Sequence, residues 1–90
     1  KIWEFKRRIS SLYDIAVDSQ GNVYSCNYDK EVMKISPSGT KIWEFTGHTK
    51  YVGSVSIDNN GNVYSGSGDN KVMKIHQNIE TVLTGYEVLR

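Results

Sequence analysis

Ninety residues with 11 basic and 10 acidic side chains, net charge +1, are enough for one small domain. This balance leaves no basic face for nucleic acid, and the apolar runs are too short for a membrane-spanning helix. The single cysteine, Cys26, excludes an intrachain disulfide and is compatible with the cytoplasm, while the opening at Lys1 in place of Met leads to the expectation of a piece of a longer protein.

In chain order, the first element is the pentapeptide Lys1-Ile2-Trp3-Glu4-Phe5, a short strand with nothing before it to pair with. It returns forty residues later as Lys41-Ile42-Trp43-Glu44-Phe45. Gly21-Asn22-Val23-Tyr24-Ser25 returns as Gly61-Asn62-Val63-Tyr64-Ser65, and Val32-Met33-Lys34-Ile35 as Val72-Met73-Lys74-Ile75. With Asp18/Asp58 and Asp29/Asp69, 16 of the 35 positions aligned between residues 1–35 and 41–75 are identical, without a gap. Such a period marks a repeat architecture. In the first unit, Ser36-Pro37-Ser38-Gly39 makes a turn before the strand at 41–45. In the second unit, strands are predicted over 52–57, 62–67 and 71–76. They are separated by Asp58-Asn59-Asn60-Gly61-Asn62 and Gly68-Asp69-Asn70. Gly61, and Gly21 before it, supply the positive φ that a tight hairpin needs. Beyond Ile75 the repeat stops. The end of the chain reads either as a divergent strand at 81–84 or as a helix with Ile79, Val82, Leu83 and Tyr86 on one face.

Four antiparallel strands in about forty residues make one β-propeller blade. The expected fold is therefore all-β, with two four-stranded antiparallel blades per chain. Residues 1–5 would be the outer strand of a neighbouring blade, 6–45 the first blade, 46–84 the second and 85–90 a tail. Gly47-His48, the strand around Val55 and Ser65-Gly66-Ser67-Gly68-Asp69 together resemble a WD repeat, over residues 1–75. That resemblance implies a brace in which His48 bonds Asp69 and a serine of 65–67. The Trp-Asp pair of the family is replaced by Ile75-His76, and Arg7-Arg8 stand where the first unit should have Gly-His. Ile15-Ala16-Val17-Asp18 through Gly21-Asn22-Val23-Tyr24 is also similar to an NHL repeat, and residues 41–45 to the tryptophan strand of quinoprotein-type propellers.

Two blades leave an apolar face and an unpaired strand edge at each end, where closed rings have about 4–8 blades. Either further chain or copies of this one must complete the circle. Three copies would give six blades and four would give eight. The sequence reading makes residues 1–5 of one copy the fourth strand of the blade begun by 51–76 of another, a strand exchange that clasps the ring.

The Asp-Asn-Gly loops at 18–22 and 58–62 faintly resemble calcium loops but lack the terminal Glu, and their residues are those any tight turn prefers. His48, His76 and Cys26 are too few and too scattered for a metal site or a Cys–His nucleophile, so neither metal nor cofactor is expected. Trp3 and Trp43 recur at equivalent positions and are expected to pack between blades. Lys6-Arg7-Arg8 reads as a solvated loop. Tyr13, Tyr51 and Tyr28 lie on or beside strand-linking loops and are the candidate contacts for a protein or small-ligand partner.

The expected function is a non-enzymatic interaction scaffold that binds through loops on one ring face. Two other classes stay open: a fragment of a propeller enzyme, quinoprotein or glycan-processing, with its active site outside this chain, and a structural component of a phage or cell-surface assembly.

Overall fold

The computed structural model describes residues 3–5, 11–78 and 82–89. Among them every regular element is a strand: β1 (Leu12–Val17), β2 (Val23–Asn27), β3 (Val32–Ile35), β4 (Lys41–Phe45), β5 (Val52–Ile57), β6 (Val63–Ser67), β7 (Val72–Gln77) and β8 (Leu83–Leu89). They form two four-stranded antiparallel sheets, each in sequence order, β1-β2-β3-β4 and β5-β6-β7-β8. The repeat is visible in the register. Ile15 pairs Ser25 and Ser25 pairs Met33, just as Val55 pairs Ser65 and Ser65 pairs Met73.

Residues directly opposite on neighbouring strands share a face. The inner face of the first sheet carries Ala16, Tyr24, Cys26, Val32, Trp43 and Phe45. It packs on Val55, Ile57, Val63, Met73 and Ile75 of the second, and these side chains form the core. The outer face of the first sheet carries Ile15, Val17, Val23, Met33 and Ile35. Met33 and Ile35 are buried, whereas Ile15 and Val17 are 54% and 56% exposed. The outer face of the second sheet is mostly polar, with Ser54, Ser56, Tyr64, Lys74 and Glu87.

One expectation changes. The end of the chain is a strand, as one of the two readings had it and not the helix, but it lies later and runs longer than 81–84. Residues 79–81 lie outside the described residues. β8 runs from Leu83 to Leu89 and pairs β7 from Gln77↔Leu83 to Val72↔Leu89, so residues 85–89 belong to the sheet. The bare edge of β7 explains this: its backbone groups take whatever extended chain follows, with little regard to side-chain pattern. In the single chain the fourth place of the second sheet is thus filled by β8. Within the single chain, residues 3–5 form no regular element. Trp3 Nε1 donates to the Pro37 carbonyl at 2.8 Å, and its indole lies against Gly39, which docks it on the first sheet of its own chain. Residues 1 and 2, and the basic cluster at 6–8, lie outside the described residues.

Candidate functional site

The β1–β2, β3–β4 and β5–β6 hairpins lie at one end of the sheets. The β2–β3 and β6–β7 turns and the β4–β5 link lie at the other. Tyr13 near the start of β1, Tyr51 just before β5 and Tyr28 just after β2 all fall at this second end, and all are exposed. Tyr13 and Tyr51 meet edge to face, with ring centroids 5.7 Å apart and planes at 86°. The pair therefore spans both sheets. Tyr51 lies over Gly68, where any Cβ would run into its ring, and Gly68 N donates to Tyr51 O at 3.0 Å. Tyr28 stands at the same end with its ring outside that contact, its N–H bonded to Ser11 O at 2.9 Å.

Beneath this surface lies a Ser–His–Asp arrangement. His48 Nδ1 is 2.9 Å from Asp69 Oδ2, and His48 Nε2 is 2.7 Å from Ser65 Oγ. The connectivity is that of an acyl-transfer triad, but His48 and Ser65 are both buried and Ser65 offers no surface to a substrate. The group ties the β4–β5 link to β6 and to the β6–β7 turn, and Thr49 N adds a bond to Asp69 Oδ2 at 3.0 Å. Burial pushes the Asp69 carboxyl upward. The Thr49 N–H, His48 and the Lys71 N–H outweigh it and hold the group at about 2.

Asp18 and Asp58 do equivalent work at the opposite end. Asp58 Oδ1 accepts from the N–H groups of Asn60 and Asn62, and Oδ2 from the Asn62 amide and the Tyr64 hydroxyl. Asp18 accepts the same set from Gln20, Asn22 and Tyr24. A carboxylate offers about four acceptor sites, so the turn itself consumes both. Gly61 and Gly21 close these hairpins at φ +82° and +87°.

Between the two hairpins lies a cleft of about 350 Å³, lined by Asp18, Gln20, Asp58, Asn60, Lys34 and Gln77 among others. Gln77 is the hub at its base. Its Oε1 accepts from Lys34 Nζ at 2.9 Å and Trp43 Nε1 at 3.1 Å. Its Nε2 donates to Tyr24 OH at 2.9 Å and Gly61 O at 2.8 Å. Lys34, only 1% exposed, sits 5.3 Å from the centre of the Tyr24 ring. Burial lowers the Lys34 pKa, with Asp18 opposing, and burial raises that of Tyr24, with Gln77 opposing.

Comparison with protein-family models returns no match, and comparison with curated proteins returns none. The site is read from its own geometry.

Cys26 is buried, and burial together with nearby Asp14 raises its thiol to about 11, far from a thiolate at neutral pH. His76 pairs with Glu87 at 2.8 Å on the exposed outer face of the second sheet, away from His48. No group of three or more potential metal ligands occurs among the described residues. Trp43 packs between the sheets, whereas Trp3 lies against the β3–β4 turn, at Pro37 and Gly39. The sequence reading missed Gln77 and Lys34. Gln77 lies just past the end of the repeat, where Pro37 is its counterpart. The one available signal for Lys34 was the recurrence of Tyr-Ser and Met-Lys-Ile in both units.

Proposed function

We propose that the chain is a non-enzymatic interaction module of the β-propeller kind, with resemblance to WD-repeat blades. It would bind a protein or small ligand through the loop end that carries Tyr13, Tyr51 and Tyr28. The observation that carries this reading is the Tyr13–Tyr51 pair, two exposed aromatic rings held edge to face across the two sheets. Exposed rings that are positioned but cover no core are the side chains that anchor partners at low entropic cost. The charged and polar groups that resemble catalytic sets are instead committed to turns and braces.

Head-to-tail copies would complete the ring. The outer face of the first sheet, with Ile15 and Val17 open, is the counterpart of the face with Val55 and Ile57 that the first sheet covers inside the chain. Three or four copies would close six or eight blades, within the usual range of about 4–8.

A panel of immobilised proteins and glycans, probed with the wild-type chain and with Tyr13→Ala/Tyr51→Ala, tests the binding surface. A ligand retained by the wild type and released by the double variant, at unchanged circular dichroism, supports it. Equal retention by both assigns binding elsewhere. An ultraviolet-visible scan of the purified chain addresses the enzyme-fragment reading, since a bound chromophore would favour that class.

A further inference from the structure

We infer that β8 is a stand-in strand: the place beside β7 fits residues 1–5 of a second copy, and β8 holds it until that copy docks. This rests on the ring reading above and adds a competition at its seam.

The first observation is where residues 3–5 lie. Trp3 Nε1 donates to Pro37 O, and Trp43 Nε1 donates to Gln77 Oε1, each tryptophan reaching the residue 34 positions ahead. Trp3 thus reaches the first sheet, through a backbone carbonyl, at the repeat position where Trp43 reaches the second through a side-chain oxygen. Residues 43–45, however, arrive there as the outer strand of a sheet, and residues 3–5 have no sheet behind them. At their end of that face Met33 and Ile35 are buried. Ile15 and Val17, which the rest of a preceding sheet would cover, stand open.

The second observation is which sheet fits behind them. β4, with the sequence Lys-Ile-Trp-Glu-Phe, pairs in the chain with Val32-Met33-Lys34-Ile35. Val72-Met73-Lys74-Ile75 in β7 is the same tetrapeptide, and Lys1-Ile2-Trp3-Glu4-Phe5 is the same pentapeptide. The missing pairing is thus written twice in one chain, with its two halves at opposite ends. When a second copy docks as the two sheets dock internally, its residues 3–5 arrive beside β7. β8 already fills that position, and one edge accepts one strand.

The third observation decides which strand suits the seam. β4 places Trp43 opposite Lys34 and Phe45 opposite Val32, and both rings are buried between the sheets. β8 places Glu87 opposite Lys74 and Leu89 opposite Val72, with Glu87 hydrogen-bonded to His76 on an exposed face. A seam closed over β8 would bury that pair where an indole belongs, at a desolvation cost. A seam closed over residues 1–5 would repeat the internal one. In the free chain the preference reverses, because β8 covers the β7 edge with a polar face and protects it from indiscriminate pairing.

The test is a reversible lock on β8. Lys74→Cys/Glu87→Cys places two thiols on directly opposed residues of β7 and β8, within reach of a disulfide. Light-scattering mass is then measured on the same protein, oxidised and reduced. The reduced form is expected at three or four chains and the oxidised form at one. An oxidised form that assembles to the same mass overturns the competition and leaves the ring reading standing. A reduced form and a wild type that both stay at one chain at high concentration overturn the ring reading and the competition with it. Trp3→Ala in the wild-type chain is expected to keep the circular dichroism of the free chain and lose assembly. Assembly at wild-type strength would remove residues 3–5 from the seam.

Discussion

At Asp58, burial draws the carboxyl pKa upward, and hydrogen bonds from Asn62, Tyr64 and Asn60 draw it down further, to about 2. Asp69 ends at about 2 by the same contest. A carboxyl whose folded pKa lies below its ordinary 3.8 contributes stability above that pH and loses it as the pH falls toward the folded value. The melting temperature should therefore be insensitive to these two groups above about pH 5 and fall between roughly pH 4 and 2. Asp58→Asn should show a shallower acid limb in calorimetry. An acid limb as steep as the wild type's would mean Asp58 has no part in it. His48→Ala leaves Ser65 and Asp69 without their shared partner, and the urea midpoint should report a loss of about 1–3 kcal/mol. This brace was legible in the sequence because Gly47-His48, Ser65 and Asp69 keep a familiar order. The Gln77 hub was not legible. Its partners Lys34, Trp43, Tyr24 and Gly61 come from four separate segments, and only the approach of two sheets brings them together.

Among the elements, β3 and β4 illustrate how one sheet's strand becomes another's core. Lysine on a strand reads as exposed, yet Lys34 is buried because the second sheet covers its face. Its ammonium donates to Gln77 Oε1, which also accepts from Trp43 Nε1. Lys34→Met should therefore leave the chain as stable as before or raise its melting temperature, since a desolvated charge is replaced by a chain of similar volume. Gln77→Ala should do the opposite and cost about 1.5–3 kcal/mol, because it strands that charge. Equal destabilisation by both would show that the ammonium is solvated. Trp43→Ala, which empties the seam, should cost about 3–5 kcal/mol in the same denaturation. The first seven strands were legible to within a residue or two from the forty-residue period and the glycine-containing turns. β8 was placed too early. Side-chain alternation after Gln77 is weak, and the backbone demand of the β7 edge, which sequence does not display, sets its register.

For the whole molecule, the same repeat position has opposite environments in the two sheets. Val55 is 5% exposed and Ile15, its counterpart, 54%. Val55→Asp should abolish the folded circular-dichroism spectrum. Ile15→Asp should preserve that spectrum and, under the head-to-tail assembly proposed above, hold the mass in solution at one chain; a spectrum lost in both variants would mean that Ile15 is already in a core. The presence of two sheets was readable from the repeat. Which of their faces remain free was not, because that depends on Trp3 folding back to Pro37. The two free faces also differ from each other, one carrying Ile15 and Val17, the other Ser54 and Ser56 beside exposed Val72 and Leu89. In the head-to-tail assembly proposed above, these two unlike faces would meet, and the contact would be heterologous. Growth by such a contact has a direction, and the tilt between consecutive sheets alone determines whether it returns to its start or runs on as a fibre.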